Sequence, residues 1–472
     1  MLDAFQSQIP VGRDPETKEI LHTTYYHYER IQLTRDKTVY AFNRGNMDLI
    51  RKVFADFEID DQRITCPMRA PLKIQFRDGK TWREYQPAAV ESMVDLDYGV
   101  LKAPPRAGKT VILSAAICML REKTIVFAHQ TDLLEQMLDT FESFTNLLEL
   151  RKLRGERIVD FAREWSDFDD LDVVLCTKQT FDHINNKQHL AAIQKMFGQV
   201  LVDETHLVPA EIYSKTINRF WAARRQGCTA TPKRKDGMDV ILDFVMGPVI
   251  HEITPQQTKR VPMRVTTIGT GITYRQGSWP RYLTDLSRME PRNELICRWI
   301  KKDIDQGRTV IAVTDRKPHT YELQRMLENL KIPTVVFNGD FQSRNKRREI
   351  LDLMRNGEKK VMIAMRNMTT GLDIPRADTF YNLLPSANAV SEGAHAGEGG
   401  YEQQCTRVLT EFPGKDEAWC RDFVDSAPIA YACLKQRQKT YTKIGAAIER
   451  SGLDKREAEV KIDYGGAEAT KM

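Results

Sequence analysis

Short apolar runs alternate with helical stretches over most of this chain, and this alternation restricts the fold more than any other feature. One series, from about Trp82, includes TIVFAH, DVVLCT and QVLVDE, and a second, from near Pro262, includes TVIAVT, TVVFNG, KKVMIAM and TFYNLL. Runs that stay apolar along their length are typical of parallel strands with both faces covered by helices. The sequence therefore predicts an α/β chain with two parallel sheets, joined by a linker between Pro255 and Pro262.

Residues 24–78 have a different pattern. TYYHYERIQL and TVYAF are rich in the β-branched and aromatic residues that strands favour, PLKIQF also reads as a strand, and RDGK reads as a turn. MDLIRKVFADFE has apolar residues at helical spacing, and Asn46 is a candidate cap for that helix. This part is predicted to form a small α+β unit ahead of the sheets.

Composition excludes several classes of protein. The chain has 472 residues, of which 41% are hydrophobic and 29% charged, an ordinary balance for a folded soluble protein. No apolar run approaches the roughly 18–20 residues of a membrane span, and MLDAFQSQIPVGRD is not a secretory signal, so we expect a cytoplasmic protein. The eight cysteines are scattered without a CxxC pair and are predicted to be reduced thiols. The net charge of +5 permits a polyanionic partner without requiring one.

The first chemical signal is PPRAGKT, residues 104–110, between the strand-like GVLKA and the apolar helix VILSAAICML. A phosphate loop needs backbone N–H groups at a helix N-terminus, a lysine for the β- and γ-phosphates, and a hydroxyl for Mg²⁺. Gly108, Lys109 and Thr110 supply these groups, although Ala103 stands where the strict pattern has its first glycine. The alternative is a lysine that merely follows a turn, and the flanking strand and helix argue against it.

Two further motifs end apolar strands. In LVDETH, residues 201–206, Asp203 is predicted to hold Mg²⁺ and Glu204 to align and activate the attacking water. In TATP, residues 229–232, the hydroxyls of Thr229 and Thr231 are candidates to bond His206 and sense the nucleotide, although a plain turn explains this motif equally well when it is viewed alone. Together with the phosphate loop, the DE pair predicts hydrolysis of a nucleoside triphosphate.

Six blocks in this order resemble those of superfamily 2 helicases of the DExH type, and the resemblance covers roughly residues 79–450. The blocks are REYQ at 83–86, PPRAGKT, DETH, TATPKRKDGM, TTGLDIPRAD at 369–378 and QQCTR at 403–407. Alanine before GKT and the tail of TATPKRKDGM are similar to the UvsW-like and XPB-like members, which include phage branch-migration helicases.

The resemblance implies two RecA-like domains that bind ATP between them. It assigns the chemistry of hydrolysis to Lys109, Asp203, Glu204, Gln403 and Arg407. It assigns nucleotide contacts to Arg83, Gln86, Pro105, Arg106, Ala107, Gly108, Lys109, Thr110, Gly371 and Asp373. It assigns the binding of Mg²⁺ to Thr110 and Asp203. It assigns the coupling between the nucleotide state and domain motion to His206, Thr229 and Thr231. By the same resemblance Gln86 reads adenine, Asp373 holds the ribose and Arg407 is the arginine finger.

The last block departs from the family pattern QxxGRxxR. Gln403 and Arg407 match, but Thr406 replaces the glycine and Thr410 replaces the final arginine. One of two expected arginines is therefore missing, which leaves open how fast this chain hydrolyses ATP. Arg421 is the nearby arginine that is a candidate for the second charge.

The resemblance also implies where nucleic acid is bound. The matching segments contribute His129, Gln130, Thr177, Lys178, Arg316, Thr369 and Thr370. Such residues hold phosphates and carry little sequence information. In YRQGSWPRY, residues 274–282, Arg275 and Trp279 are candidates to hold phosphate and stack on a base, with packing of the aromatic residues on the second domain as an equal alternative.

The leading hypothesis is an ATP-dependent DNA helicase or translocase that remodels forked and junction DNA in replication, recombination or repair. The alternatives are an RNA helicase, the motor subunit of a restriction or transcription complex, and an ATP-switched DNA clamp or annealing factor. The expected parts are a DNA-binding accessory domain (1–78), two RecA-like domains (79–256 and 257–450) and a charged tail (451–472). The expected partner is DNA, with RNA open and no membrane, in the host cytoplasm if the chain is phage-encoded.

Overall fold

The computed structural model consists of two compact units, Met1–Thr258 and Lys259–Met472. The residues that it describes are 6–13, 20–26, 28–34, 37–42, 45, 47–56, 59, 61–77, 80–154, 157–184, 187–208, 211–230, 239–258, 260–273, 278–340, 344–368, 372, 374–385 and 401–451. Among these residues, no helix is long and apolar enough to cross a membrane. All eight cysteines are free thiols, and seven of them are buried.

Two antiparallel ribbons and a short helix begin the first unit. They are β1 (Gln6–Arg13), β2 (Ile20–Tyr26), β3 (Tyr28–Thr34), β4 (Lys37–Phe42) and α1 (Met47–Val53). Strand β1 pairs with β2, and β3 pairs with β4, so strands are present in TYYHYERIQL and TVYAF as predicted. Asn46 lies outside the described residues. Met47 and Ile50 of α1 are buried against Phe244, so this helix packs on later parts of its own unit.

The rest of the first unit alternates helices with parallel strands. Its elements are α2 (Gln86–Asp95), β5 (Tyr98–Lys102), α3 (Lys109–Leu120), β6 (Thr124–Ala128), α4 (Thr131–Phe144), α5 (Leu147–Arg154), β7 (Val159–Phe161), α6 (Asp167–Asp170), β8 (Val173–Thr177), α7 (Lys178–Ile184), α8 (Lys187–Ile193), β9 (Gln199–Asp203), α9 (Glu211–Asn218), β10 (Arg224–Thr229), α10 (Asp239–Met246) and β11 (Val249–Glu252). The seven strands lie in the order β11-β5-β10-β9-β6-β8-β7, and every neighbouring pair is parallel.

Helices cover both faces of this sheet, which explains why its strands are apolar throughout. Every residue of β6 and β8 is buried. Side chains of α2, α3 and α4 form the core on one face, and side chains of α7, α9 and α10 form the core on the other. A strand with two covered faces has no solvent side on which to place polar residues.

The segment PLKIQF is not a strand, and that prediction is wrong. Ile74 makes only an isolated bridge to Thr145. The backbone N–H of Lys73 donates to Asn146 Oδ1 at 2.8 Å, and that of Gln75 donates to the carbonyl of Phe144 at 2.8 Å. The segment therefore bonds to the junction between α4 and α5 instead of joining a sheet, and its apolar Leu72 is buried in the core.

The second unit repeats the same architecture. Its elements are β12 (Met263–Thr273), α11 (Trp279–Arg288), α12 (Glu290–Asp305), β13 (Val310–Thr314), α13 (Lys317–Asn329), β14 (Thr334–Phe337), α14 (Arg344–Arg355), β15 (Val361–Met365), β16 (Thr379–Asn382), α15 (Tyr401–Cys405), β17 (Ala418–Ser426), α16 (Pro428–Lys443) and β18 (Ala447–Ser451). The strand order is β14-β15-β13-β16-β17-β12-β18, again with parallel pairs only. The predicted α/β fold with two parallel sheets is confirmed.

Parallel strands end at the same edge of a sheet, and this brings the sequence motifs of the first unit together. Strand β10 lies between β5 and β9. In the pairing register Cys228 is opposite Asp203, and Thr229 is opposite Lys102. Ligands of open α/β sheets bind at this carboxyl edge.

Candidate nucleotide site

The loop 103–108 joins β5 to α3 at the carboxyl edge of the first sheet. The N–H of Ala103 donates to the carbonyl of Thr229 at 3.0 Å, which ties the loop to the end of β10. Pro105, Arg106 and Ala107 form the turn that follows, and the N–H of Ala107 donates to the carbonyl of Pro104 at 3.2 Å. Helix α3 then begins at Lys109. The free N–H groups of a helix N-terminus attract anions such as phosphate.

The departure from the strict phosphate-loop pattern at Ala103 has a structural explanation. Ala103 is fully buried, and its backbone is not in the left-handed region, so this position does not need glycine. The left-handed conformation is found instead at Arg106, with φ of 68°, and at Gly108, with φ of 76°. A non-glycine residue in that region costs about 1–2 kcal/mol, so this turn stores some backbone strain.

Gln86 and Arg83 brace the loop. The buried amide of Gln86 donates from Nε2 to the carbonyl of Ala107 at 3.3 Å and accepts from the N–H of Arg83 at 3.0 Å. The Arg83 guanidinium donates to the hydroxyl of Tyr85 and to the carbonyl of Arg106. The two residues predicted to contact the nucleotide therefore also fix the shape of the loop.

Gly108 is required by both its conformation and its surroundings, so we expect Gly108→Ala to weaken ATP binding at least tenfold. A Cβ at this position would lie 2.4 Å from Gln86 Nε2 and would push that amide off the loop. Gly414→Ala is the matched control, because Gly414 has φ of 78° with no atom within 4 Å of an added Cβ. Both variants should lose stability, by about 1–2 kcal/mol from the backbone alone. Equal ATP affinity of the two variants in a binding titration would contradict this requirement.

Lys109 and the DE pair meet at the center of the site. Lys109 Nζ donates to Glu204 Oε1 at 3.1 Å, and each side chain is only 13% exposed. Asp203 Oδ1 accepts from the Glu204 N–H at 3.0 Å and from the Cys228 thiol at 3.1 Å. Glu204 has a left-handed backbone, with φ of 57°, directly after strand β9. This turn points the carboxylate back towards the phosphate loop.

Burial and charge shift the pKa values of these three groups in different directions. Burial opposes the charge of Lys109, but Glu204 and Asp203 outweigh it and raise the pKa of the ammonium. Burial would also raise the pKa of Glu204, but Lys109 and His206 lower it to about 2. The pKa of Asp203 is raised, because it is buried next to the negative charge of Glu204. The pair of carboxylates therefore has a single strong cationic partner and would gain from a second cation.

Thr110 and Asp203 suit a magnesium ion. Magnesium is usually held by one or two carboxylates together with substrate phosphates rather than by a cage of protein ligands. Among the described residues, no group of three or more His, Cys, Asp or Glu side chains forms such a cage. Asp203 supplies one partly buried carboxylate, and Thr110 supplies a hydroxyl in the first turn of α3.

The contact expected between His206 and the TATP motif is present. His206 Nδ1 lies 3.1 Å from the Thr229 hydroxyl and 3.3 Å from Glu204 Oε2. His206 therefore connects the carboxylate beside Lys109 to the end of β10. Thr231 lies outside the described residues, and the coupling role of all three stays a prediction.

In the second unit, Arg407 lies in a 3₁₀ helix, Thr406–Leu409, that continues from α15. Its Nη1 donates to the carbonyl of Leu372 at 2.6 Å. The hydroxyl of Thr406, which replaces the family's glycine, is buried and donates to the carbonyl of Glu402 at 2.7 Å. Thr369, Thr370, Gly371, Asp373 and the side chain of Gln403 lie outside the described residues.

Arg421 is not available as the missing second arginine. Its guanidinium is buried and donates to both oxygens of Asp303, at 2.7 and 3.0 Å. The ion pair fixes Arg421 near the start of β17, whereas Arg407 lies beyond the carboxyl end of β15 and β16.

Arg366 is a residue that the sequence reasoning missed. It is buried, and it donates to Asp315 at 2.9 Å, to Gln404 at 2.7 Å and to Asn382 at 3.0 Å. These contacts join the ends of β13, β15 and β16 to α15, which precedes Arg407. The sequence feature that could have indicated this role is the position of Arg366 directly after the apolar strand VMIAM.

The residues predicted to hold nucleic acid have diverse surroundings. His129 and Gln130 lie between β6 and α4, and Thr177 caps α7 by accepting from the N–H of Thr180 at 3.1 Å. Lys178 forms an ion pair with Asp182. Arg316 donates to Thr284 at 2.9 Å and to the carbonyl of Pro280 at 2.7 Å, so it secures α11.

The structure favours packing over base stacking for the aromatic residues of YRQGSWPRY. Tyr282 is only 2% exposed, and Trp279 is half-buried with its ring centroid 5.8 Å from that of Tyr282. Both belong to the core beneath α11. Arg275 lies outside the described residues.

Two family models match the chain. "Type III restriction enzyme, res subunit" matches residues 79–234, and "Helicase conserved C-terminal domain" matches residues 291–409. With the two parallel sheets, these matches define a class of protein, the ATP-dependent helicases with two RecA-like domains. Within that class the chain belongs to superfamily 2. The predictions of two tandem RecA-like domains and of a helicase are confirmed.

The chain is similar to several known helicases. It is 22% identical over 440 residues to the DNA 3'-5' translocase XPB2 of Sulfurisphaera tokodaii, a match that covers 83% of this chain and 91% of that protein. It is 25% identical over 289 residues to a probable helicase of Escherichia phage T5, covering 60% of this chain and 58% of that protein. The chain spans about half the length of several other curated relatives that it matches.

Solved structures share the fold at low sequence identity. The ATP-dependent Type ISP restriction-modification enzyme LlaBIII bound to DNA has a TM-score of 0.57 at 16% identity, covering 80% of this chain and 32% of that one. S. cerevisiae Dbp5 bound to RNA and ADP BeF3 has a TM-score of 0.53 at 15% identity, covering 79% of this chain and 90% of that one. At such identities the likeness concerns the fold alone.

Proposed function

We propose that this chain is an ATP-driven DNA translocase of the DExH type that unwinds or branch-migrates forked and junction DNA. The observation that carries the proposal is the buried ion pair between Lys109 and Glu204, 3.1 Å apart, at the N-terminus of α3. A lysine, a carboxylate and free N–H groups at one point supply what phosphoryl transfer to water needs.

The ion pair suggests how ATP prepares its own hydrolysis. With Lys109 beside it, Glu204 has a pKa of about 2, which makes its carboxylate a weak base. The phosphates of ATP would compete for the Lys109 ammonium and weaken its hold on Glu204. The pKa of Glu204 would then rise towards the range in which a carboxylate orients water and accepts its proton efficiently.

The remaining roles follow the family. Thr110 and Asp203 would hold Mg²⁺, which neutralises charge on the phosphates when it is bound. Arg407 and Gln403 are proposed to meet the γ-phosphate, Gly371 and Asp373 to contact the nucleotide, and Gln86 to read adenine. His206, Thr229 and Thr231 are proposed to report the nucleotide state.

The proposal that the substrate is DNA and not RNA rests on the similarity to known proteins. The S. tokodaii protein is named as a DNA 3'-5' translocase, and its match covers most of both chains. Residues 1–78 are proposed to bind the junction, residues 79–256 and 257–450 to form the motor, and residues 451–472 to be a charged tail. His129, Gln130, Thr177, Lys178, Arg316, Thr369, Thr370 and Arg275 are proposed to contact the strand with little sequence preference. The proposed setting is a cytoplasm, that of the host if the chain is phage-encoded.

The proposal is tested by ATP turnover without nucleic acid and with single-stranded DNA, duplex DNA, a four-way junction and RNA. We expect the junction or a fork to stimulate turnover most, and Lys109→Ala to abolish turnover with every substrate, because it removes the charge that holds the phosphates. Stimulation by RNA alone would replace the proposal with an RNA helicase.

A slow, ATP-switched DNA clamp is the second candidate, and Thr410 is the observation that favours it. The hydroxyl of Thr410 stands where the family has its second arginine and has no hydrogen-bond partner among the described residues. A motor that lacks one of the two arginines would hydrolyse ATP slowly. ATP-dependent DNA binding without stimulated turnover would establish the clamp.

A further inference from the structure

A cleft of about 390 Å³ lies on one face of the second sheet. Its walls come from α12, the turn between α12 and β13, and strands β12, β17 and β18. They include Trp299, Lys302, Arg308, Trp419, Arg421 and Glu449. The volume is within the roughly 300–1,000 Å³ of small-ligand sites. Trp419 and Arg421 lie near the start of β17, whereas Asp315 and Arg366 lie beyond the carboxyl ends of β13 and β15 in the same parallel sheet. The cleft is therefore separate from the motif residues of this unit.

Cations and tryptophan rings alternate along the wall of the cleft. The guanidinium carbons of Arg308 and Arg421 lie 4.1 and 4.6 Å from the ring centroid of Trp419. Arg421 also lies 5.2 Å, and Lys302 Nζ 4.8 Å, from the ring of Trp299. A guanidinium stacked on an indole is held by its face and keeps its N–H edge available for an anion.

The cations of the cleft are only partly balanced, because Arg308 and Arg421 share the carboxylate of Asp303. Arg421 is neutralised by Asp303 at 2.7 Å, and Glu449 by Arg264 at 3.3 Å. Arg308 lies 3.7 Å from the same Asp303, and its Nη1 is buried with no hydrogen-bond partner among the described residues. The exposed ammonium of Lys302 has its contact with Trp299 and no ion pair within the described part of the chain.

We propose that this cleft is a second anion site, which binds a phosphate group between Arg308 and Lys302. The phosphate could come from a nucleic-acid strand or from a free polyphosphate such as a nucleotide. The first source rests on the proposed function, and the second does not. Phosphate suits the site because a stacked guanidinium offers paired donors and a lysine offers a point charge.

The aromatic rings are not proposed to stack on a base. Each of the two indoles already has at least two cations within 6 Å of its centroid: Trp419 has Arg264, Arg308 and Arg421, and Trp299 has Arg421 and Lys302. The rings instead hold the cations in place, and they make the site observable. A ligand that draws a cation away from its ring should change the tryptophan emission.

The test uses the full chain without ATP, with Lys302→Glu and Arg308→Gln as the two variants. The probes are a short labelled single-stranded oligonucleotide and inorganic tripolyphosphate, the latter followed by tryptophan emission. Lys301→Glu is the matched control, because Lys301 is the adjacent exposed lysine on α12, pairs with Asp305 at 2.9 Å and does not line the cleft. Lys302 is exposed, so its variant should fold even if Arg308→Gln does not.

We expect each variant to weaken oligonucleotide binding about five- to tenfold and to reduce the slope of log affinity against log salt by about 0.7, the value for one lost phosphate contact on a single strand. Loss of tripolyphosphate binding alone would identify a free polyphosphate as the ligand. The proposal is overturned if both variants bind both probes as the wild type and Lys301→Glu do, or if wild-type emission does not respond to either probe. Oligonucleotide binding by the wild type separately tests the proposed function.

Discussion

Replacing Glu204 by glutamine is expected to reduce the rate of ATP hydrolysis by about 10²–10⁴, the usual contribution of a general base, while ATP still binds. The amide keeps the size of the side chain but cannot accept a proton from water. It also removes a negative charge 3.1 Å from Lys109 Nζ. The phosphates would then have less competition for that ammonium, so ATP affinity should stay equal or rise. Single-turnover hydrolysis and a binding titration with the same protein separate these effects.

The control for this variant is Glu149→Gln. Glu149 is an exposed carboxylate of the same unit that pairs with Arg77 at 3.4 Å on the surface. The Glu149→Gln substitution should leave both the rate of ATP hydrolysis and the affinity for ATP unchanged. Turnover by Glu204→Gln within tenfold of the wild type would remove Glu204 from its role as base. Lost ATP binding would instead show that the ion pair with Lys109 serves mainly to hold the loop in shape.

Features that depend on neighbours in sequence could be predicted for this chain. The phosphate loop, the DE pair and the contact of His206 with Thr229 all follow from strands that end at a common edge. Apolar runs encode buried parallel strands because both faces are covered, and the polar residue after such a run then lies at the ligand-binding edge. This logic needs no knowledge of which distant residue each side chain meets.

Features that depend on distant partners could not be predicted. PLKIQF has strand composition, but its amides bond to the junction of α4 and α5, about 70 residues further on. Arg316 sits in a motif that suggests phosphate contact, yet its donors secure α11. Arg366 reads as an ordinary charge after a strand, yet it is buried at the meeting point of three strand ends. In each case the decisive contact is set by the topology of the sheet.

Replacing Arg407 by alanine is expected to reduce hydrolysis by about 10³–10⁵ if this side chain is the arginine finger, because a finger stabilises the charge that develops on the γ-phosphoryl. Its Nη1 donates to the carbonyl of Leu372 at 2.6 Å, so this hydrogen bond holds the guanidinium in place. Arg407→Lys should recover little of the loss, because an ammonium cannot reproduce the planar fork. ATP affinity should change far less than the rate.

Arg376→Ala is the matched control, because it also removes a guanidinium that donates to a backbone carbonyl, that of Arg355, at 3.2 Å. If both variants lose rate equally, local packing and not charge at the phosphate explains the effect. A loss below tenfold for Arg407→Ala would mean that another residue carries the charge, and Arg421 is not that residue because Asp303 holds it.

Thr410→Arg then distinguishes a motor from a clamp. The Thr410 hydroxyl has no hydrogen-bond partner among the described residues, so the substitution breaks no described bond. If the missing second arginine limits hydrolysis, Thr410→Arg should raise DNA-stimulated turnover, and the gain should vanish in Thr410→Arg combined with Arg407→Ala, because the two charges act on the same transition state. An unchanged rate would show that one arginine suffices, and that the departure at Thr410 gives no support to the clamp.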